Sequence, residues 1–259
     1  MPTLVLSPRQ TPDAQALWQS VMPDPFWQTR RMLSIQVPEH FIDDLEEPVL
    51  YGEALFCDLW AEALGIILLD PHPDWLPYIP HECLKRTVRA GHLEDLDELF
   101  PEEGPAFVKP AQDKVFPAKV HESPGSVRDQ LDPEINPKTM VLVSEVVEFA
   151  AEVRIYVLNG KVAGAAPYVA PAPDPGHDFV GEAVQFFTDK VPTDDLPPGV
   201  VVDVGFIPNR GWAVVEANPA YSAGVYKSDL APEILRVVQA SQVQTTWHKL
   251  DSDLKRFAR

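Results

Sequence analysis

The stretch VVVDVGFIPNRGWAVVEANPA, residues 200–220, decides the fold. An apolar run leads to a Pro-Asn-Arg-Gly break and a second apolar run returns from it, so periodicity and turn residues together predict a β-hairpin. Asp203 lies in the outgoing strand. Glu216 and Asn218 share one face of the returning strand, because side chains alternate with a period of two. Polar residues in such apolar surroundings indicate a site.

The spacing of these residues predicts how they face each other. An even-numbered turn centred on Asn209 and Arg210 places Asp203 opposite Glu216, with Cβ atoms about 5 Å apart. Facing carboxylates repel each other unless a cation lies between them. Asp, Glu and Asn oxygens suit Mg²⁺ when phosphate and water complete its shell. The alternative interpretation is that one carboxylate faces solvent across a bulge.

Composition narrows the class of protein. The chain has 259 residues, of which 45% are hydrophobic, and a formal net charge of -18. That charge argues against nonspecific nucleic-acid binding, which depends on Lys and Arg. No stretch approaches the roughly 18 apolar residues of a membrane helix, and the start MPTLVLSPRQ lacks a secretion signal, so a cytoplasmic location without a membrane partner is expected. Cys57 and Cys83 lack metal-ligand spacing and are expected to be buried free thiols.

The first hundred residues predict a small α/β layer, assigned to an N-terminal domain over residues 1–103. Strands are expected over residues 3–7, 32–37, 49–51 and 66–70, a helix from residue 52 or 53 to 64, and helical spacing over residues 80–99. Pro101 and Gly104 end that helical pattern, so the domain boundary is placed there.

The second half begins with FVKPAQDKVFPAKVHES, residues 107–123, which predicts two strands around a polar loop. A further hairpin is expected to turn at Asn159 and Gly160, a pair suited to two successive positive φ angles. Glu152 and Arg154 share one face of its outgoing strand. Further elements are expected as a strand over residues 140–147, a helix over residues 180–187 and a final helix from about residue 228.

Several familiar motifs are missing from the sequence. It contains no G-x-x-x-x-G-K-[ST], no G-x-G-x-x-G, no G-x-S-x-G, no H-E-x-x-H and no paired C-x-x-C. What remains is an ordered series: a strand lysine, a strand ending in SEVVEF, an E-x-R strand, and D…E-x-N on the hairpin at residues 200–220. Lysine suits phosphate as a flexible point charge, and arginine binds phosphate oxygens in bidentate fashion.

This series resembles the ATP-grasp superfamily over roughly residues 107–235. The matching segments are FVKP with Lys109, SEVVE with Glu145 and Glu148, EVRIYVLNGKV with Glu152 and Arg154, VVDVGF with Asp203, and VVEANPA with Glu216 and Asn218. They look like motifs of ribosomal-protein glutamate ligases and tubulin ligases. The sequence is more closely similar to small ATP-grasp proteins of bacterial and phage genomes, whose substrates are mostly unassigned.

The resemblance implies roles for the basic residues. Lys109 would contact the α and β phosphates, and Arg154 would hold the transferring phosphoryl group. Lys114 is placed to meet phosphate or substrate. The lysine that many relatives carry before FVKP is missing, and Lys85 and Arg86 are the candidates to replace it. The alternatives are that Lys109 is a solvated strand end and Arg154 a cross-strand salt bridge.

The resemblance also implies roles for the acidic segment and for the metal. Glu145 and the backbone of Val147 would contact adenine, although Glu145 is equally well explained as an edge charge. Glu148 or Glu152 would bind the ribose. Mg²⁺ would be held by Asp203, Glu216 and Asn218.

Together these inferences predict an α/β (α+β) protein with an N-terminal α/β domain and an ATP-grasp domain over residues 104–259. Its lid would cover about residues 104–145 and its core about residues 146–259. The implied activity is an ATP- and Mg²⁺-dependent, ADP-forming ligase that joins a carboxylate to an amine of an amino acid, peptide or protein. A kinase and a nucleotide-binding module without turnover remain alternatives.

Overall fold

A computed structural model describes residues 1–39, 45–112, 114–169, 178–245 and 249–259. Its strands are β1 (Thr3–Leu6), β2 (Gln28–Arg31), β3 (Pro48–Tyr51), β4 (Ile66–Leu68), β5 (Val88–His92), β6 (Ala106–Pro110), β7 (Lys119–His121), β8 (Met140–Glu145), β9 (Ala151–Leu158), β10 (Lys161–Val169), β11 (Gly199–Ile207), β12 (Gly211–Pro219) and β13 (Gln242–Gln244).

Its helices are α1 (Pro12–Val21), α2 (Ala54–Leu64), α3 (Trp75–Tyr78), α4 (His81–Leu84), α5 (Leu96–Leu99), α6 (Pro124–Arg128), α7 (Phe179–Lys190), α8 (Ala231–Ala240) and α9 (Ser252–Lys255). Short 3₁₀ helices occupy Leu93–Asp95, Ala220–Ser222 and Ser228–Leu230. Within the ranges given above, every helix is too short or too polar to cross a membrane.

The N-terminal layer is a parallel sheet in the order β2-β1-β3. Helix α1 follows β1 and begins at Thr11, whose hydroxyl accepts a hydrogen bond from the amide of Ala14 at 3.1 Å. Helix α2 ends at Gly65, whose φ of 64° suits glycine. The strand predicted over residues 32–37 is wrong, because the chain pairs with β1 over Gln28–Arg31 instead. That strand, QTRR, is a polar edge strand with no apolar alternation to reveal it.

The helical spacing over residues 80–99 also gave a wrong prediction for its central part. Short helices α4 and α5 stand at the two ends, but β5 lies between them and pairs with β8. Pairing with a neighbouring strand outweighs local propensity here. Because β5 precedes residue 103 and β8 follows it, the sheet spans the proposed boundary, and the division at residue 103 stays a prediction.

Two four-stranded antiparallel sheets form the rest of the molecule, in the orders β5-β8-β6-β7 and β10-β9-β11-β12. The predicted turn at Asn159 and Gly160 is confirmed, with φ angles of 50° and 73°. Helix α8 packs its apolar face into the core that also contains β1 and β3, which attaches the parallel layer to the second sheet. Cys57 and Cys83 are buried and free, as predicted, and burial raises the pKa of both thiols.

Candidate active site

The hairpin β11–β12 brings Asp203 opposite Glu216, as the sequence predicts. The predicted turn is wrong, however, because three residues (208–210) separate the last pair, Ile207 and Gly211. An odd-numbered loop alone would shift every partner by one residue and turn Glu216 to the other face. Val215 is an extra, unpaired residue in β12, and this bulge restores the register at Asp203.

The bulge is held in place by Arg86. Its guanidinium donates to the carbonyl oxygens of Val214 at 2.6 Å and Val215 at 3.0 Å, and also to that of Leu84 at 3.2 Å. Burial lowers the pKa of Arg86 to about 10, although nearby glutamates favour the charged form. Since these carbonyls already bind its guanidinium, the placement favours a structural role for Arg86 over the phosphate contact that the sequence suggested.

Arg154 of β9 and Asp203 of β11 are direct partners across the sheet and form a buried bidentate ion pair. Arg154 Nε donates to Asp203 Oδ1 at 2.8 Å, and Arg154 Nη2 donates to Oδ2 at 2.7 Å. Burial alone would lower the pKa of Arg154, but the carboxylate outweighs it and raises that pKa. Burial raises the pKa of Asp203, and the guanidinium opposes the increase. The cross-strand salt bridge considered as an alternative is therefore present.

Lys109 connects the two antiparallel sheets. It lies on β6, and its side-chain nitrogen contacts Oε2 of Glu216 on β12. Asn218 completes the group, with its amide nitrogen 2.9 Å from Oε1 of Glu216 and 3.3 Å from Oδ2 of Asp203. Burial raises the pKa of Glu216, but Lys109 and Asn218 outweigh that effect and leave the pKa lowered. The predicted residues Lys109, Arg154, Asp203, Glu216 and Asn218 thus lie together between the sheets.

Glu152 adds a further negative charge near this group. It is half-buried and precedes Arg154 on the same face of β9. Burial raises the pKa of Glu152, and the charges of Asp203 and Glu216 raise it further. The site therefore concentrates carboxylates against two cations, an arrangement that favours the binding of positive charge.

The donors fit a divalent cation. Asp203, Glu216 and Asn218 can all offer oxygen, the ligand type that Mg²⁺ prefers, and hydrogen bonds already hold their tips together. Amide oxygen and nitrogen are interchangeable by a side-chain flip, so Asn218 can turn its oxygen inward. In the described ranges no three His, Cys, Asp or Glu side chains come together as a metal cluster, so an amide would have to supply the third donor.

The other predicted contacts lie toward the end of β8. Glu145, its last residue, binds Nη2 of Arg210 through Oε1 at 2.7 Å, and this ion pair lowers its pKa. Val147 is partly exposed, and Glu148 is exposed. Lys114 is exposed in the loop after β6, away from the ion pairs described above.

Two residues that the sequence analysis did not single out lie against the site. Tyr168 and Tyr226 place their ring centroids 5.0 and 4.8 Å from Cζ of Arg154. A signal existed for Tyr168, because Pro167 within a strand indicates an edge or a bulge. The sequence gives no comparable signal for Tyr226.

A cavity of about 460 Å³ lies elsewhere, between the β9–β10 turn and α8. Leu158, Val162, Ala163, Glu233 and Arg236 are among its lining residues, and none of the predicted site residues lines it. We place the candidate site by its convergent charges, since the space between the two sheets is an open cleft.

Comparison with known proteins identifies the fold. Residues 84–233 match a family model that describes an ATP-grasp domain, the second family of its clade. The RimK domain protein ATP-grasp from Sphaerobacter thermophilus DSM 20745 is similar with a TM-score of 0.52 at 15% identity, covering 92% of this chain and 98% of that chain. D-cycloserine synthetase DcsG is similar with a TM-score of 0.52 at 12% identity, covering 92% and 98%.

A D-alanine–D-alanine ligase from Bacillus anthracis gives a TM-score of 0.49 at 12% identity, covering 93% of this chain and 97% of that chain. The search of curated proteins found no match to this sequence. The predicted ATP-grasp fold and the α+β class are confirmed by the family match and by the first two structures.

Proposed function

This chain belongs to the ATP-grasp domain family whose model it matches, and from that premise we propose that it is an ADP-forming ligase that joins a carboxylate to an amine. ATP would bind between the sheets β5-β8-β6-β7 and β10-β9-β11-β12, since ligand sites favour such clefts. The acyl donor and the amine would come from an amino acid, a peptide or a protein.

One observation carries this proposal. Lys109 and Arg154 come from different sheets, and their charged groups lie against Glu216 and Asp203 in one small volume. A lysine and an arginine that converge beside a cluster of oxygen donors suit a polyphosphate with a bound cation. A solvated surface would not hold Arg154 and Asp203 buried as they are here.

The reaction would proceed in two steps. A carboxylate oxygen of the donor attacks the γ-phosphorus of ATP, an O–P bond forms, and the bond to the bridging oxygen breaks to release ADP. The amine then attacks the carbonyl carbon of the acyl phosphate, a C–N bond forms, inorganic phosphate leaves and the amine proton passes to solvent. Lys109 would hold the α and β phosphates, and Arg154 would stabilise charge on the transferring group.

Asp203, Glu216 and Asn218 would hold Mg²⁺, which when bound neutralises charge on the phosphates. Glu145 and the backbone of Val147 would contact adenine. The ribose hydroxyls would bind Glu148 or Glu152. Lys114 would approach the phosphates or the substrate from the loop after β6.

The deciding experiment incubates the protein with ATP, Mg²⁺ and pooled amino acids and small carboxylic acids, and then identifies the products by mass spectrometry. ADP and phosphate with a new amide are expected. ADP with a phosphate ester would instead identify a kinase. Tight ATP binding without turnover across the pools and a peptide library would indicate a binding module. A variant with Glu216→Gln and Asn218→Ala should lose turnover and serves as the control.

A further inference from the structure

Tyr226 has an unusual backbone conformation. Its φ is 52°, and the amide of Lys227 donates to the carbonyl oxygen of Val225 at 2.6 Å, which closes a three-residue turn centred on Tyr226. Such turns are rare and strained for a residue with a bulky side chain. Strain of this kind persists only where surrounding contacts impose it, and it is found preferentially at functional sites.

The contacts that impose it come from the core. The hydroxyl of Tyr51 donates to the carbonyl oxygen of Ala223 at 2.8 Å, and the hydroxyl of Tyr156 lies within hydrogen-bond distance of those of Gly224 at 2.8 Å and Val225 at 2.5 Å. From the other side, Oδ1 of Asp13 accepts a hydrogen bond from the amide of Val225 at 2.9 Å. The segment before Tyr226 is therefore fixed on both sides, which directs the ring toward Arg154.

Tyr168 reaches the same guanidinium from another element. In the pairing of β10 with β9, Pro167 pairs with Val153 and Val169 pairs with Glu152, so Tyr168 is an extra residue in a bulge. A bulge redirects the side chain it carries. Two unrelated backbone irregularities thus aim two tyrosine rings at one arginine, and the ring centroids lie 5.0 Å apart at an interplanar angle of 67°.

These rings cover a guanidinium whose bonding is incomplete. The Arg154 side chain is 7% exposed, whereas Tyr168 and Tyr226 are 44% and 49% exposed, so the rings lie between Arg154 and solvent. Asp203 accepts from Nε and Nη2 of Arg154, and in the part of the chain that the structure describes no side chain or carbonyl accepts from Nη1. Flat rings against the guanidinium restrict its rotation and leave Nη1 available.

We propose that Tyr168 and Tyr226 are positioning residues that fix the guanidinium of Arg154 so that Nη1 meets the transferring phosphoryl group. This inference rests on the proposed function. Asp203 fixes the guanidinium from below, and the two rings fix its plane from outside. The rings act through Arg154, so they should matter more for the transferring phosphoryl group than for bound ATP.

Calorimetry with two probes tests this inference without knowledge of the substrate. Mg²⁺ with the non-hydrolysable analogue AMPPNP represents the bound nucleotide, and Mg²⁺ with ADP and aluminium fluoride represents the phosphoryl group in flight. We expect Tyr226→Gly, which needs no strained backbone, to bind AMPPNP within about threefold of the wild type and to bind the aluminium fluoride complex at least about tenfold more weakly. Tyr168→Leu should show the same selective loss.

Three controls make the outcome specific. Tyr226→Phe keeps the ring and should restore binding of the aluminium fluoride complex. Tyr78→Leu removes a tyrosine that is 80% exposed on α3 and should change neither affinity. Glu47→Gly removes a residue with a positive φ of 43° in the N-terminal layer, and it should also leave both affinities unchanged.

Two results would overturn the inference alone: unchanged selectivity in Tyr226→Gly, or an equal loss in Tyr226→Phe, which would assign the effect to the hydroxyl. Failure of the wild type to bind either nucleotide would overturn the proposed function, and this inference with it.

Discussion

The side-chain nitrogen of Lys109 contacts the carboxylate of Glu216, and this single ion pair joins β6 of one antiparallel sheet to β12 of the other. Both groups are partly buried, with 22% and 31% of their side chains exposed. Lys109 therefore occupies the carboxylate that we assign to Mg²⁺. When nucleotide and metal bind together, the ammonium group would transfer from Glu216 to phosphate, so that both ligands replace the ion pair.

The first prediction follows from this competition. Lys109→Met should weaken ATP binding by about tenfold or more, because a phosphate contact is lost. The same variant should bind Mg²⁺ alone more tightly than the wild type, since Glu216 and Asp203 lose a competing cation. Calorimetry with Mg²⁺ alone and with ATP and Mg²⁺ measures both effects. Lys119→Met, on the exposed part of β7, is the matched control. Equal metal affinity in Lys109→Met and wild type would contradict the competition.

A second prediction concerns the pH dependence of stability at Glu152. Burial, together with Asp203 and Glu216, raises the pKa of its carboxyl above the ordinary 4.5. A carboxyl with a raised pKa in the folded state costs stability once the pH exceeds its unfolded pKa, and it has no effect below that value. Glu152→Gln should therefore raise the melting temperature at pH 7, and the gain should disappear as the pH falls below about 4.5.

Thermal unfolding monitored by circular dichroism at pH 7 and pH 4 checks this expectation. Glu148→Gln removes a nearby exposed carboxyl and should leave the melting temperature unchanged at both values. A gain in Glu152→Gln that persists at pH 4 would point to a packing effect and would rule out relief of charge.

Much of the site follows from the sequence, because its residues lie on strands with clear alternation. The pairing of Asp203 with Glu216 is predictable in outcome, yet its route is not: an odd-numbered loop and the extra Val215 compensate each other. Strand β2 and strand β5 depend on their partners β1 and β8, and their own residues give little indication of a strand. The tight turn at Tyr226 depends on hydrogen bonds from Tyr51 and Tyr156, which lie far away in sequence.

A third prediction tests the bulge in β12. Arg86→Lys keeps a positive charge but loses the fork that bridges the carbonyls of Val214 and Val215, so it should destabilise the fold by about 1–3 kcal/mol. Urea denaturation measures the loss. Arg89→Lys on β5 also removes a guanidinium bound to carbonyls, those of Leu99 and Phe100, but at a more exposed place. It should cost less, and an equal cost would argue against a special role for the bulge.

The same variant has a consequence for the site. If the bulge relaxes, Glu216 shifts relative to Asp203 and the oxygen donors separate. Arg86→Lys should therefore weaken the Mg²⁺-dependent part of ATP binding, whereas Arg89→Lys should not. Loss of stability with full retention of metal-dependent binding would show that Asn218 and Glu216 keep their places without the clamp.

The last prediction separates the structural and chemical contributions of Arg154. Arg154→Met leaves Asp203 buried without its partner, which costs about 3–5 kcal/mol of folding free energy. Adding Asp203→Asn removes the unpaired charge and should recover part of that loss, as urea denaturation would show. Turnover should not recover in the double variant, because the cation that stabilises the transferring phosphoryl group is still missing and one metal ligand is weakened. In the single variant we expect turnover to fall by about 100-fold or more, with a smaller change in ATP affinity. Normal turnover in a folded Arg154→Met would limit the residue to its salt bridge and would remove the central cation from the proposed mechanism.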